Sequence, residues 1–238
     1  MVKRETVRRT RPKPKRRRLV VAIDGPAGSG KTTVASGVAR RLGLDRLDTG
    51  AMYRAVTLKA LRQGIDPEDG RRLARLARET DFDHDDRGLL IDGKRPSRAI
   101  RSPDVNRAVS AVSAHPAVRK ELVRRQRGIM QRGGFVAEGR DIGTVVCPDA
   151  DVKVFLTASE TERADRRHRQ LARSGVAISK DRLKKDQVRR DRLDSTRAVS
   201  PLTPARDAHV IDSTTRTPSQ VVDEIVVLAE GASRARRG

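Results

Sequence analysis

Eight consecutive residues, Gly25-Pro26-Ala27-Gly28-Ser29-Gly30-Lys31-Thr32, fill the pattern G-x-x-x-x-G-K-[ST] without a mismatch. Glycines at these places let backbone N–H groups converge on phosphate oxygens, and a following helix adds the partial positive charge of its N-terminus. Lys31 can reach the β- and γ-phosphates of a nucleoside triphosphate, and the Thr32 hydroxyl suits Mg²⁺. Thr33 closes the run of ATP-contacting candidates. A glycine-rich turn before a helix is the bland alternative. The setting argues against it, with an apolar run of strand length at 19–23 and apolar residues at helical spacing over 33–42.

A second chemistry is written in scattered residues. In the segment 47–54, Thr49 and Arg54 can both donate to a phosphate, arginine bidentately. Ser110 and Arg119 fall on a basic helical pattern. Residues 137–144 pack Glu138, Gly139, Arg140 and Asp141 together at the end of a strand, and Arg163, Arg166, Arg167 and Arg169 crowd one helix. The run 190–197 holds Arg190, Asp191, Arg192, Asp194 and Arg197. Any one of these arginines, taken singly, could be a solvated surface charge.

Taken in this order, the segments resemble the bacterial cytidylate kinases, over residues 20–230. The phosphate loop is shared by many NTPases; the tyrosine-arginine, glycine-arginine-aspartate and arginine-aspartate-arginine segments are far more specific. The resemblance implies transfer of the γ-phosphoryl group of ATP to CMP or dCMP, with Mg²⁺ as cofactor. It places Thr49, Tyr53, Arg54, Arg140 and Arg197 at the acceptor phosphate, Ser110, Arg119 and Asp141 at the base, and Arg190 and Asp194 at the ribose. Lys31, Arg140 and Arg197 would carry the catalysis, and Glu138 would steady Mg²⁺ through water. The base assignment agrees with elementary chemistry. Asp141 only accepts and Arg119 only donates, which suits the N4 amino group and the N3 and O2 acceptors of cytosine. Uracil reverses that polarity at positions 3 and 4 and would leave a buried charge unpaired. The alternatives are a kinase for another small acceptor (UMP, AMP, shikimate) and an RNA- or ribosome-associated P-loop protein. A guanine-reading Asn-Lys-x-Asp is absent from the chain.

The elements that must position these groups follow from hydrophobic patterning. Strands are expected at 19–23, 44–49, 134–138, 151–158 and 208–213, with helical patterns at 68–79, 105–131, 160–173 and 219–230. Strands alternating with helices predict an α/β P-loop fold, a parallel five-stranded sheet flanked by helices, with ligands outside the strands' carboxyl ends. Residues 64–100 break the alternation and predict an inserted nucleotide-binding subdomain whose hairpin turns at Asp92-Gly93. A lid is expected over about 160–185.

Charge is uneven. Of the formal +22, residues 1–18 carry +9 and residues 231–238 carry +3. Both segments are expected to be basic tails, the first disordered because it has almost nothing apolar to bury; weak electrostatic contact with RNA is open to it. The chain has four aromatic residues, Tyr53, Phe82, Phe135 and Phe155, and no Trp. That is too few for a stacking platform, so nucleic acid is not an obligatory partner. A single cysteine, Cys147, forbids an internal disulfide and suits a reducing cytoplasm. No run approaches a membrane span of roughly 18 residues, and the basic N-terminus lacks the apolar core of a secretory signal. A cytoplasmic monomer is expected.

Overall fold

The computed structural model describes residues 18–236 apart from 174 and 176; the tail at 1–17 lies outside the described residues. Five strands pair in parallel: β1 (Val20–Asp24), β2 (Asp45–Asp48), β5 (Phe135–Gly139), β6 (Val152–Thr157) and β7 (His209–Asp212). Their order is β2-β5-β1-β6-β7. All five residues of β1 and of β5 are buried, as a parallel sheet covered on both faces requires. Alternation along β1 decides which face each side chain serves. Val20 and Ala22 join one apolar cluster, and Val21 and Ile23 the other.

The second cluster packs α1 (Lys31–Leu42) and α8 (Pro218–Ala235) on one face. The first packs α2 (Thr49–Arg62), α4 (Pro103–Ala114) and α5 (Pro116–Met130) on the other. Helices α6 (Glu160–Ala172) and α7 (Lys180–Thr196) lie against each other between β6 and β7 in sequence. None of the described helices is long and apolar enough to cross a membrane.

Three expectations meet corrections. The pattern at 105–131 is two helices, because Pro116 has no N–H to donate and pushes His115 out of helical geometry (φ −67°, ψ 119°). The hairpin of the insert, β3 (Phe82–Asp85) with β4 (Gly88–Ile91), turns at Asp86-Arg87. Asp92-Gly93 does turn tightly, both residues at positive φ, but it only folds Lys94 back onto Ile91. Helix α8 runs to Ala235, so residues 231–235 are its last turns rather than tail. It starts in a capping box, with Thr217 and Gln220 each bonding the other's backbone N–H.

The insert also contains α3 (Gly70–Glu79). Leu73, Leu76 and Ala77 of α3, with Phe82 and Leu89 of the hairpin, belong to the same cluster as Val20 and Ala22. His84 ties the hairpin down: its Nε2 lies 3.2 Å from the Arg46 carbonyl, and its ring meets Phe135 edge-on at 5.1 Å.

Candidate active site

The carboxyl ends of the strands open into a cavity of about 2290 Å³. Residues 27–33 of the glycine-rich loop line one side of it. The loop's shape is forced by packing. A Cβ on Gly25, at φ +147°, would stand 2.0 Å from the Leu156 carbonyl oxygen, which only glycine avoids. Helix α1 begins at Lys31 with Gly30 as N-cap, no side chain capping it and no acid in its first turn. Its first N–H groups and dipole are thus free for an anion. Lys31 Nζ donates to the Pro26 carbonyl at 2.6 Å. Burial, then the field of Arg140, holds the Lys31 ammonium well below its usual pKa.

Thr32 Oγ1 donates to Glu138 Oε2 at 2.8 Å, and Glu138 also takes Arg46 Nη1 at 2.6 Å. Burial, then the charge of Asp48, raises the Glu138 carboxyl. A hydroxyl and a carboxylate side by side next to Lys31 are hard oxygen donors. They fit Mg²⁺ held for the rest by phosphate and water.

Across the cavity lie Arg54, Ser110, Arg140, Arg190 and Arg197. They arrive on α2, α4, the loop after β5, α7 and the residue capping α7. Asp194 gathers three of them. Arg140 Nε donates to it at 2.9 Å, Arg190 Nε stands 3.9 Å away and Arg197 Nη1 3.8 Å. Burial pushes the Asp194 carboxyl up, but the fields of Arg140, Arg190 and Arg197 outweigh it and leave it low. One carboxylate cannot neutralise three guanidinium groups. Burial, then the repulsion of Arg140, lowers Arg190 to about 10; burial, then Arg190 and Arg101, lowers Arg54 to about 9. Arg190 Nε and Arg197 Nη2 are buried without a hydrogen-bond partner among the described residues. Such a cluster is built for a multiply charged anion.

Thr49, Tyr53, Arg119, Asp141 and Asp194 are not brought to the open surface of the cavity; all five are buried behind it. Thr49 Oγ1 donates to the Glu138 carbonyl at 2.8 Å. Arg119 donates to Asp141 at 2.5 Å and to the Ser113 carbonyl at 3.1 Å, with its guanidinium 5.2 Å from the Tyr53 ring centroid. Burial pushes the Tyr53 phenol up to about 12. Asp141 therefore pairs with Arg119, while its neighbour Arg140 goes to Asp194.

A family model described as cytidylate kinase matches residues 21–231. The chain belongs to the cytidylate kinase family. A protein named cytidylate kinase from Mycobacterium leprae (strain Br4923) is 50% identical over 91% of this chain and 98% of its own. Another of that name, from Pelotomaculum thermopropionicum, is 48% identical over 90% of this chain and 97% of its own. A bifunctional pantoate ligase/cytidylate kinase from Synechococcus sp. (strain JA-3-3Ab) is 52% identical over 91% of this chain, which spans only 42% of that protein's length. The solved structure of an uncharacterized protein from Eubacterium ventriosum aligns with a TM-score of 0.52 at 11% identity, over 90% of this chain and 99% of its own. That likeness concerns the fold alone.

Three further residues of this cytidylate kinase family member bear on the site. Asp24 ends β1 just before the loop and accepts from the N–H groups of Ile142 and Gly143, each at 2.8 Å. Its position, a carboxylate at a strand end next to a glycine-rich loop, was a readable signal. Asp48 caps α2 and takes Arg101 at 2.7 Å. Asn106 accepts from Arg54 at 2.6 Å. Nothing in the spacing of Arg101 or Asn106 marks them.

Proposed function

We propose that this protein transfers the γ-phosphoryl group of ATP to CMP or dCMP, giving ADP and the pyrimidine nucleoside diphosphate. The observation that carries the reading is one cavity with a phosphate loop on one wall and three arginines sharing a single carboxylate on the other. The loop's N–H groups and Lys31 hold the donor phosphates; Arg54, Arg140 and Arg197, with Thr49 and Tyr53, hold the acceptor's. Asp194 sets Arg190 beside the ribose. Ser110, Arg119 and Asp141 read the base, Arg119 supplying donors and Asp141 acceptors.

Phosphoryl transfer through a loose transition state asks for alignment and positive charge rather than a strong base. The arginine surplus supplies that charge from donor to acceptor, and α6 and the insert exclude water when they close. Thr32, with Glu138 through water, would hold Mg²⁺, which supplies charge neutralisation on the β- and γ-oxygens when bound. We place the reaction in a monomer and in the cytoplasm, whose reducing conditions suit a chain with a single cysteine.

A coupled assay of ADP formation with CMP, dCMP, UMP and AMP tests the reading. Expected is kcat/KM for CMP or dCMP at least tenfold above that for UMP or AMP. A preference for either of the latter overturns it.

A further inference from the structure

Glycine-rich loops have little intrinsic stiffness, so something outside residues 25–32 must hold this one. Two helices do so from behind. Arg163, on α6, donates from Nη1 to the Ala27 carbonyl at 3.0 Å. Asp191, on α7, accepts from the Ala27 N–H at 3.2 Å. The two side chains close on each other through Arg163 Nη1 and Asp191 Oδ2. Ala27 is thereby gripped at both of its backbone polar groups by one ion pair.

The grip is anchored. Arg163 is buried, and its Nε donates to the Ala158 carbonyl at the end of β6 at 3.1 Å. Gln187, one turn before Asp191, donates to the Arg163 carbonyl at 3.2 Å. The helices also press directly on the loop: a Cβ on Gly28 would lie 2.8 Å from Gln187 Nε2 and 3.1 Å from Arg163 Cβ.

Helix α7 faces both substrates' sites. Asp191 points to the donor loop, and Asp194, three residues on, collects Arg140, Arg190 and Arg197. Three residues are about 4.5 Å of helix rise, so one rigid turn spans from the loop to the arginine cluster. In-line transfer depends on that spacing.

We propose that the Arg163–Asp191 pair is a positioning device for the phosphoryl donor. It holds the loop at Ala27 in the shape that binds triphosphate and in register with the arginines carried by the same helix. Neither residue lines the cavity. The proposal rests on residues 25–32 being the ATP site, but not on which nucleotide is the acceptor.

The test is calorimetric titration of the full-length protein with the ATP analogue bearing an imido bridge between its β- and γ-phosphates, and separately with CMP. Asp191→Ala is expected to weaken the analogue about tenfold while CMP affinity stays within twofold. Asp191→Glu keeps both acceptor oxygens, one for the Ala27 N–H and one for Arg163, and is expected to recover most of the loss, to within threefold of wild type. Arg163→Met, which keeps the apolar stem but can donate to neither the Ala27 carbonyl nor Asp191, is expected to weaken the analogue at least fivefold and decides the matter should Asp191→Ala not fold. A wild type that does not bind the analogue overturns the donor reading and this proposal with it. Wild-type binding matched within twofold by the folded variants, or CMP affinity falling by the same factor as the analogue's, overturns this proposal alone.

Discussion

The proposed donor side of the cavity is built from main chain and the proposed acceptor side from side chains. Residues 25–32 are contiguous, and what they offer a phosphate is N–H groups and a helix N-terminus, with Lys31 as the one charged side chain. The acceptor side takes Arg54, Arg140, Arg190 and Arg197 from three separate segments and needs Asp194 to hold three of them in place. Backbone recognition carries no net charge and tolerates being left alone. Burial, and after it mutual repulsion, penalises the charge of these guanidinium groups, as the lowered Arg190 and Arg54 show, and an anion or counter-ion relieves the cluster. The two sides should therefore fail differently when altered.

The largest effect is expected on the donor side. Lys31→Ala removes the one charged side chain of the loop itself, and kcat should fall by about 10³-fold or more. Steady-state assays with CMP measure this, and a kcat within tenfold of wild type would mean that the loop's N–H groups suffice. On the acceptor side, Asp141→Asn should lower the CMP/UMP ratio of kcat/KM by roughly 10- to 100-fold, about 1.4 to 2.7 kcal/mol. Only the ratio is diagnostic, since loss of the Arg119 pairing could lower both substrates alike. An unmoved ratio would leave Asp141 as Arg119's counter-ion and nothing more.

Asp194→Asn separates the sides further. It should raise the KM for CMP about tenfold by releasing Arg140, Arg190 and Arg197, with the KM for ATP within twofold. A rise in both KM values would show that the two sides are not independent.

The last effect is on stability rather than on turnover and concerns Asp24, where β1 meets the loop. Burial, only partly offset by the N–H groups of Gly143 and Ile142, raises its pKa to about 6. The folded state then holds this proton more tightly than the unfolded chain. The stability from Asp24 is present below its unfolded pKa near 4 and is lost as pH rises through about 6. Asp24→Asn has no such titration. Urea unfolding of both proteins should show wild-type stability falling relative to the variant by about 2 kcal/mol between pH 4 and 7. Parallel curves would show that Asp24 is ionised without penalty.

What could be read in the chain follows the same division. The loop, β1 and α1 were legible because pattern, strand and helix are adjacent, and each interaction is local. The five strands and their parallel arrangement were legible because apolar runs alternate with helical patterns. The break at His115-Pro116 was also written in the sequence, since proline disrupts a helix wherever it falls inside one. The extent of α8 was obscured by its basic end, where Arg234 and Arg236 look like tail.

The partnerships of the charged side chains were not legible. Residues 140 and 141 are neighbours, yet one pairs with Asp194 and the other with Arg119, a choice made in the bend after β5, where no sequence period applies. Arg163 could be placed on an arginine-rich helix but not assigned to Ala27, which lies 136 residues away. By itself the sequence determined the phosphate loop, the sheet and the residue types gathered for the acceptor, because these depend on backbone geometry and on burial, which act locally. Only the tertiary structure decided which carboxylate neutralises which arginine, because ion pairs form by proximity in space and several partners of equal chemistry stood available along the chain.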